Sequence, residues 1–172
     1  LDDAVEGRAP VEPRLGLLVE APGVRAFALN ELAIEKTVPG HMVRLATSVN
    51  DEHLLTYAAD GVVVATPTGS TAYNLSAGGP VISPGLDVLV LTPVAPHFTI
   101  DRSIVLGPDE VVSVTVLEDR PAVLVADGSL LAQLAPGATV TVRRDPVPVQ
   151  VVVGARHGVG GRLRASLREG HR

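Results

Sequence analysis

The chain has 172 residues, 46% of them hydrophobic, so it is long and apolar enough to bury the core of one domain. Its formal net charge of −5 disfavours a nucleic-acid binder, and its lack of cysteine excludes disulfides and thiolate metal sites and fits the cytoplasm. No apolar run is long enough to span a bilayer, and the acidic start, Leu-Asp-Asp, is neither a signal peptide nor an initiator Met, which fits a fragment of a longer protein.

Short apolar runs separated by turn residues fill the first third of the chain and predict strands. Residues 1–14 are polar and contain two prolines, so we interpret them as a linker or an edge segment. The strands predicted after this segment are residues 15–20, 24–35, 41–57 (one or two strands) and 60–66. An Ala-Pro-Gly sequence at 21–23 turns the chain. Within the second of these runs, the polar pair Asn30-Glu31 stands among apolar neighbours.

The middle of the chain predicts a loop that leads into one short helix. Residues 67–79, PTGSTAYNLSAGG, supply the loop, and the helix is expected to begin near Ser70 and to stop at Gly78-Gly79.

The second half predicts further strands, at residues 88–92, 111–117, 122–126, 137–143 and 147–153. The Glu-Asp-Arg-Pro connection at 118–121 favours a hairpin between its two flanking strands. Strands at this spacing predict a mainly β fold, a β-sandwich of many short, mostly antiparallel strands over residues 15–155. Residues 156–172 are rich in arginine and form a basic C-terminal tail, with a possible helix.

The segment at residues 59–80, ADGVVVATPTGSTAYNLSAGGP, carries the most chemistry. A buried strand delivers Thr66, Thr68, Ser70 and Thr71 into a glycine-containing turn before a helix. Free backbone N–H groups and small hydroxyls in such a turn can hold phosphates or ribose hydroxyls. From the residues alone, a simple helix N-cap explains this turn equally well.

This segment resembles, almost letter for letter, the DG-x-x-x-(A/S)TPTGSTAY-x-x-SAGGP block of NAD kinases. Residues 28–36, ALNELAIEK, resemble the NE motif of that family. Residues 91–106 resemble its P-x-x-PH…RP-x-V segment, with Ser103 where proline is usual. The DG pair at 127–128 resembles a later DG pair of the family. The final GRLRASLREG resembles its C-terminal motif, but Ala-Ser replaces the usual basic or bulky residues. The resemblance covers nearly the whole chain.

The resemblance implies an enzyme that transfers a phosphoryl group from ATP or polyphosphate to the 2′-hydroxyl of the adenosine ribose of NAD, which gives NADP. It implies Mg²⁺ or another divalent cation with ATP, a cytoplasmic homodimer or homotetramer, and no nucleic-acid or membrane partner. In that family a GGDG motif on a preceding N-terminal α/β domain supplies the catalytic aspartate. No GGDG occurs in these 172 residues. We therefore expect this NAD-binding domain to bind NAD without forming NADP by itself.

The resemblance also assigns substrate-binding residues. Asn30 and Glu31 are expected to contact the nucleoside and the ribose hydroxyls, and an amide–carboxylate pair suits paired donors and acceptors. Asp60 is expected to hold the nicotinamide-side ribose or amide. The remaining nucleotide contacts implied by the resemblance are Thr68, Thr71, Ala72, Tyr73, Ser76 and Ala95.

Three other residues are candidates, and two of them, Arg102 and His97, receive two interpretations each. Asp127 is the one candidate for a catalytic role in this chain, near the transferring phosphate. Arg102 is either a phosphate clamp, because a guanidinium matches phosphate oxygens, or a salt bridge in its own loop. His97 is either a structural hydrogen-bonding residue or a pocket residue. The other histidines lack metal-ligand spacing, so no metal site is predicted in the chain.

Three alternatives remain open at this point. A lipid kinase of the diacylglycerol or sphingosine kinase type shares the two-domain plan. A non-catalytic β-sandwich module predicts that residues 60–79 lie more than about 15 Å from Asn30-Glu31, beyond the reach of one dinucleotide. A pseudo-enzyme is the third alternative.

Overall fold

The computed structural model describes residues 9–97, 100–117 and 120–153, together with Gly160, Gly161 and Arg164. A 3-10 turn spans Thr68–Thr71 and helix α1 spans Tyr73–Ser76. The strands in the described residues are β1 (Val11–Arg14), β2 (Leu17–Ala21), β3 (Val24–Ala28), β4 (Glu31–Lys36), β5 (Val43–Val49), β6 (Glu52–Ala59), β7 (Gly61–Ala65), β8 (Leu89–Val94), β9 (Ile104–Leu106), β10 (Val112–Leu117), β11 (Ala122–Ala126), β12 (Ser129–Leu134), β13 (Thr139–Arg144) and β14 (Val149–Val152).

Two six-stranded antiparallel sheets form the body of the fold. Sheet I has the strand order β3-β2-β13-β10-β5-β6, and sheet II has the order β12-β11-β4-β7-β8-β9. Strands β1 and β14 pair with each other as a separate two-stranded ribbon. The predicted mainly β sandwich is therefore confirmed.

The core lies between the two sheets and consists mainly of aliphatic side chains. In β10, buried and half-buried residues alternate, as expected for a strand with one face on the core. Strand β7 is instead buried along its whole length, because the segment that follows it covers the second face of sheet II. There, a small apolar cluster of Ala33, Val63 and Ala65 packs against Tyr73 of α1. The site described below is built on this covered face.

Two predicted connections differ from the structure. Residues 24–35 form not one strand but β3 in sheet I and β4 in sheet II, with the change of sheet just before Glu31. The predicted hairpin between residues 111–117 and 122–126 is wrong, because β10 lies in sheet I and β11 in sheet II. Each strand has a longer-range partner: β10 pairs with β5 over six residue pairs, and β11 pairs with β4 over five. The chain thus crosses between sheets at both places.

The predicted helix is shorter than expected and is divided into the 3-10 turn and the four-residue α1. Strand β1 lies within the segment predicted as a linker or an edge segment. Strands β9 and β12 were not predicted, and β12 has a burial pattern without regular alternation. The predicted N-terminal segment lies outside the described residues up to residue 8. Most of the predicted basic tail does so too, although Gly160, Gly161 and Arg164 are helical.

Candidate functional site

The turn that precedes β4 is held by the carboxylate of Asp127. Asp127 Oδ2 accepts the N–H of Leu29 at 2.7 Å, and Oδ1 accepts the N–H groups of Asn30 at 2.8 Å and Glu31 at 3.1 Å. In return the Asp127 N–H donates to the carbonyl of Glu31 at 3.0 Å. Asp127 has a φ of 45°, a left-handed conformation that Asp adopts more readily than most residues. Its described contacts therefore support the turn that carries Asn30 and Glu31.

The turn after β7 meets the same backbone. The Thr66 N–H donates to the carbonyl of Asn30 at 2.9 Å, and the Thr66 hydroxyl donates to the carbonyl of Leu29 at 2.7 Å. The Thr66 hydroxyl oxygen also accepts the N–H of Gly69 at 3.0 Å. The two segments are in direct contact, so the separation expected of a non-catalytic module does not occur.

The second half of the TPTGSTAY…SAGGP segment holds the turn in shape. Asn74 is fully buried in α1, and its amide donates to the carbonyls of Ser70 at 3.1 Å and Pro80 at 3.0 Å. Its Oδ1 accepts the hydroxyl of Thr92 on β8 at 2.7 Å. The hydroxyl oxygen of Ser70 accepts the N–H of Ile82 at 3.0 Å. These side chains satisfy backbone groups inside the loop, so their role here is structural.

A cleft of about 190 Å³ opens between β4, β11 and α1, and we name it the site cleft. The residues that line it include Glu31, Ala33, Glu35, Tyr73, Asp127 and Gly128. Its described lining contains three carboxylates and no Lys, Arg or His. Such a lining repels a phosphate group, whereas the hydroxyls of a sugar can donate to carboxylate oxygens.

Glu31 is the carboxylate of the site cleft that has a buried oxygen without a partner in the described structure. Its side chain is 7% exposed, and its Oε2 is buried without a hydrogen-bond partner in the described structure. Burial, and then the charge of Asp127, raise the pKa of Glu31 from 4.5 to about 7. The nearby backbone N–H of Tyr73 acts in the opposite direction and lowers this pKa. In the 3-10 turn, Thr68 Oγ1 is likewise buried without a partner in the described structure.

Tyr73 and Asp60 each have a charged partner on β4. The Tyr73 hydroxyl donates to Glu35 Oε1, and burial and then this hydrogen bond raise the pKa of Tyr73. Lys36 Nζ donates to Asp60 Oδ1 at 2.6 Å, in a half-buried ion pair. Successive side chains of a strand point to opposite faces, so Glu35 and Lys36 serve opposite sides of β4.

The other expected residues are more scattered. Thr71 ends the 3-10 turn and Ala72 links it to α1; both are half-buried, and Ser76 is exposed at the end of α1. Ala95 follows β8 with a φ of 44°, next to Val94, whose carbonyl accepts the N–H of Asp60.

Arg102 and His97 lie outside the lining of the site cleft that the described residues form. The Arg102 side chain is 84% exposed and lies 3.5 Å from the neighbouring Asp101. His97 forms a bridge to Ala58, whose carbonyl accepts its N–H at 2.7 Å. Arg102 therefore has a salt bridge in its own loop, and this contact of His97 is made by its backbone.

Sequence reasoning missed Glu35 and Lys36, the partners of Tyr73 and Asp60. A signal for Glu35 was present, because residues 31, 33 and 35 of one strand share a face. No such pattern points to Asn74, whose three hydrogen bonds depend on the fold of the loop.

The described residues contain no group of three or more His, Asp or Glu side chains arranged to hold a metal ion. In the same part of the chain, no helix has the length and apolar character needed to cross a membrane.

Comparisons with known proteins agree on one family. A family model described as the ATP-NAD kinase C-terminal domain matches residues 29–153. The NAD kinase of Nitrosospira multiformis is 38% identical over 168 residues, which cover 95% of this chain and 57% of that protein. The NAD kinase of Symbiobacterium thermophilum is 43% identical over 160 residues, which cover 88% of this chain and 56% of that protein.

Solved structures show the same relationship. Yeast NADH kinase in complex with NADH has a TM-score of 0.86 and 25% identity, covering 98% of this chain and 50% of its own. An NAD kinase from Archaeoglobus fulgidus in complex with ATP has a TM-score of 0.79 and 29% identity, covering 97% of this chain and 64% of its own. The chain therefore spans about half the length of the relatives that it matches. These matches favour an NAD kinase over a lipid kinase, and the chain belongs to the ATP-NAD kinase C-terminal domain family.

Proposed function

We propose that the protein containing this chain phosphorylates the 2′-hydroxyl of the adenosine ribose of NAD, with ATP or polyphosphate as donor, and that this chain binds the dinucleotide. The observation that carries the proposal is the pair of buried oxygens without partners, Glu31 Oε2 and Thr68 Oγ1. Such atoms are costly to leave unsatisfied, and a hydroxyl-rich ligand satisfies them. They belong to the two segments joined through the Asn30 carbonyl.

The chemistry of the site cleft suits a ribose rather than a phosphate. Asp127 accepts three backbone N–H groups and Glu35 accepts the Tyr73 hydroxyl, whereas Glu31 Oε2 has no partner in the described structure and can accept a hydroxyl of the ligand. The Tyr73 ring lies on the same face and offers an apolar surface to a nucleoside. Asn30, Asp60, Thr71, Ala72, Ser76 and Ala95 are the further contacts that we propose for the dinucleotide.

The division of labour follows from what these residues can do. Side chains of this chain bind and orient the dinucleotide, whereas phosphoryl transfer needs a group that positions the 2′-hydroxyl and neutralises charge on the phosphates. We assign that group to a GGDG aspartate on an N-terminal α/β domain. A divalent ion such as Mg²⁺ supplies charge neutralisation on ATP, and the described residues do not form a cage for it. We further propose a cytoplasmic homodimer or homotetramer.

Binding and turnover test the two parts of the proposal separately. A calorimetric titration of NAD into the protein is expected to show binding. The same titration with sphingosine is expected to show none. Thr68→Val keeps the shape of the side chain but removes the hydroxyl, so we expect about five-fold weaker NAD binding. Thr139→Val, on the outer face of sheet I, is the matched control and should bind NAD like the wild type. Equal affinity in both variants would remove Thr68 from the site.

The 172-residue chain by itself is expected to form no NADP from NAD and ATP, because it lacks GGDG. Turnover by this chain alone would overturn the assignment of the catalytic group to another domain.

A further inference from the structure

We propose that Glu35 is a positioning residue of the dinucleotide site: it anchors Tyr73, and through Tyr73 it holds Glu31 in place for the ligand. The inference rests on the proposed function. Glu35 lies within residues 28–36, but outside the Asn30-Glu31 pair and outside the TPTGSTAY segment.

Tyr73 connects two carboxylates of the same strand. Its backbone N–H lies near Glu31 and lowers the pKa of that carboxyl, and its hydroxyl donates to Glu35 Oε1. Glu31 and Glu35 stand at the two ends of one face of β4, with Ala33 between them. The Tyr73 ring packs on the apolar cluster around Ala33, so it crosses that face from one carboxylate to the other.

The residues around Glu35 leave its carboxylate space to accept the Tyr73 hydroxyl, and the adjacent cation does not compete for it. Gly61 lies opposite Glu35 in the β4–β7 ladder, and a Cβ at Gly61 would stand 3.2 Å from the Glu35 Cγ. A side chain at Gly61 would therefore crowd Glu35, and its Cβ would also stand 2.5 Å from the Ile34 carbonyl oxygen. The adjacent cation, Lys36, is paired with Asp60 at 2.6 Å.

Tyr73 and Glu35 therefore form a hydrogen-bonded clamp in the lining of the site cleft. A tyrosine at the start of a four-residue helix has little secondary structure to fix it, and the bond to Glu35 supplies a second attachment point. With the ring fixed, its backbone N–H stays near Glu31, and Glu31 Oε2 has no partner in the described structure. Without the bond to Glu35, the Tyr73 ring is free to turn into the site cleft. That movement changes the shape of the cleft and displaces Glu31.

The test is a double-mutant cycle on NAD affinity in the full-length protein, measured by calorimetry. Glu35→Ala and Tyr73→Phe are each expected to weaken NAD binding about five-fold, the effect of one hydrogen bond. The double variant is expected to bind no more weakly than the weaker single variant, because both changes remove the same bond. Glu35→Gln keeps an acceptor for the Tyr73 hydroxyl and should retain most of the affinity.

Kinetics and a control separate positioning from general stability. With ATP present, the KM for NAD should rise in Glu35→Ala, while kcat changes less than about two-fold, since Glu35 does not touch the reacting phosphate. Glu20→Ala removes an exposed glutamate of sheet I that pairs with Arg25, and it should bind NAD like the wild type. If Glu35→Ala fails to fold, two variants that nearly keep the side-chain shape test the inference instead. Tyr73→Phe must then weaken NAD binding, and Glu35→Gln must not.

Two results would overturn the inference. In one, Glu35→Ala binds NAD as tightly as the wild type; in the other, the two single effects multiply in the double variant. A wild-type protein that does not bind NAD would instead remove the proposed function, and the inference with it.

Discussion

The backbone of Gly69 lies directly against the carbonyl group of Asn30. A Cβ at position 69 would stand 2.0 Å from the Asn30 oxygen and 2.3 Å from its carbonyl carbon. The same oxygen accepts the Thr66 N–H at 2.9 Å. The two segments that form the site are thus joined backbone to backbone, with no space for a side chain between them.

Gly69→Ala is therefore expected to be strongly destabilising. A methyl group at this position collides with backbone rather than with a flexible side chain, so the turn must move away from Asn30. We expect the free energy of unfolding to fall by about 3 kcal/mol, at the upper end of overpacking effects, and NAD binding to be lost. Urea unfolding and calorimetry measure the two effects.

Gly85→Ala is the matched control, because no atom lies within 4 Å of a Cβ at Gly85. It should change the free energy of unfolding by less than about 0.5 kcal/mol. A Gly69 variant as stable as the Gly85 variant would contradict the close approach.

Contiguous patterns explain which features could be predicted from the sequence. Turn residues and apolar runs predicted most strands, and the β-sandwich followed from their spacing. The NE pair and the TPTGSTAY turn were also recognisable as local motifs. The two motifs meet at the Asn30 carbonyl, and a single ligand that contacts both stays a prediction.

Long-range pairing explains what the sequence did not predict. The apolar pattern of residues 24–35 continues across the change of sheet before Glu31, so periodicity did not mark it. What fixes that break is Asp127, 96 residues beyond Glu31 in the chain. The Tyr73–Glu35 bond also spans 38 residues, and a short-range motif carries no information on such a partner.

Asp127→Asn is expected to lower stability, because an amide offers one acceptor oxygen where the carboxylate serves three N–H groups. We expect a loss of about 1–2 kcal/mol in the free energy of unfolding by urea. Asparagine tolerates the left-handed backbone of this position, so the loss reports the hydrogen bonds rather than strain.

Asp109→Asn provides the comparison for Asp127. Asp109 is 83% exposed and pairs with Arg144 at 2.8 Å, and exposed pairs contribute about 0.5 kcal/mol. If Asp127→Asn unfolds like the wild type but loses NADP formation, the residue acts on the substrate and not on the turn.

Tyr57→Phe is expected to leave stability unchanged or to raise it by about 1 kcal/mol. The Tyr57 ring is fully buried in the core, and its hydroxyl has no hydrogen-bond partner in the described structure. Removing an unsatisfied buried polar atom relieves a desolvation cost without opening a large cavity. Thermal unfolding measures the change, and Tyr57→Ala, which does open a cavity, should cost about 3–5 kcal/mol. A clear loss of stability in Tyr57→Phe would show that the hydroxyl has a partner.

The raised pKa of Glu31 predicts a specific dependence of stability on pH. Burial, and then the charge of Asp127, raise this pKa from 4.5 to about 7, so the folded state keeps a proton that the unfolded chain releases within this interval. The contribution of Glu31 to stability is therefore fully present below pH 4.5 and is lost as pH rises to about 7.

Glu31→Gln cannot ionise and avoids this loss. The unfolding free energy of Glu31→Gln relative to wild type should thus rise between about pH 5 and pH 7, and level off above about pH 8. Urea unfolding across this range measures the difference, with the exposed Glu52→Gln as control. A difference independent of pH would mean that Glu31 ionises in the folded protein as it does in the unfolded chain.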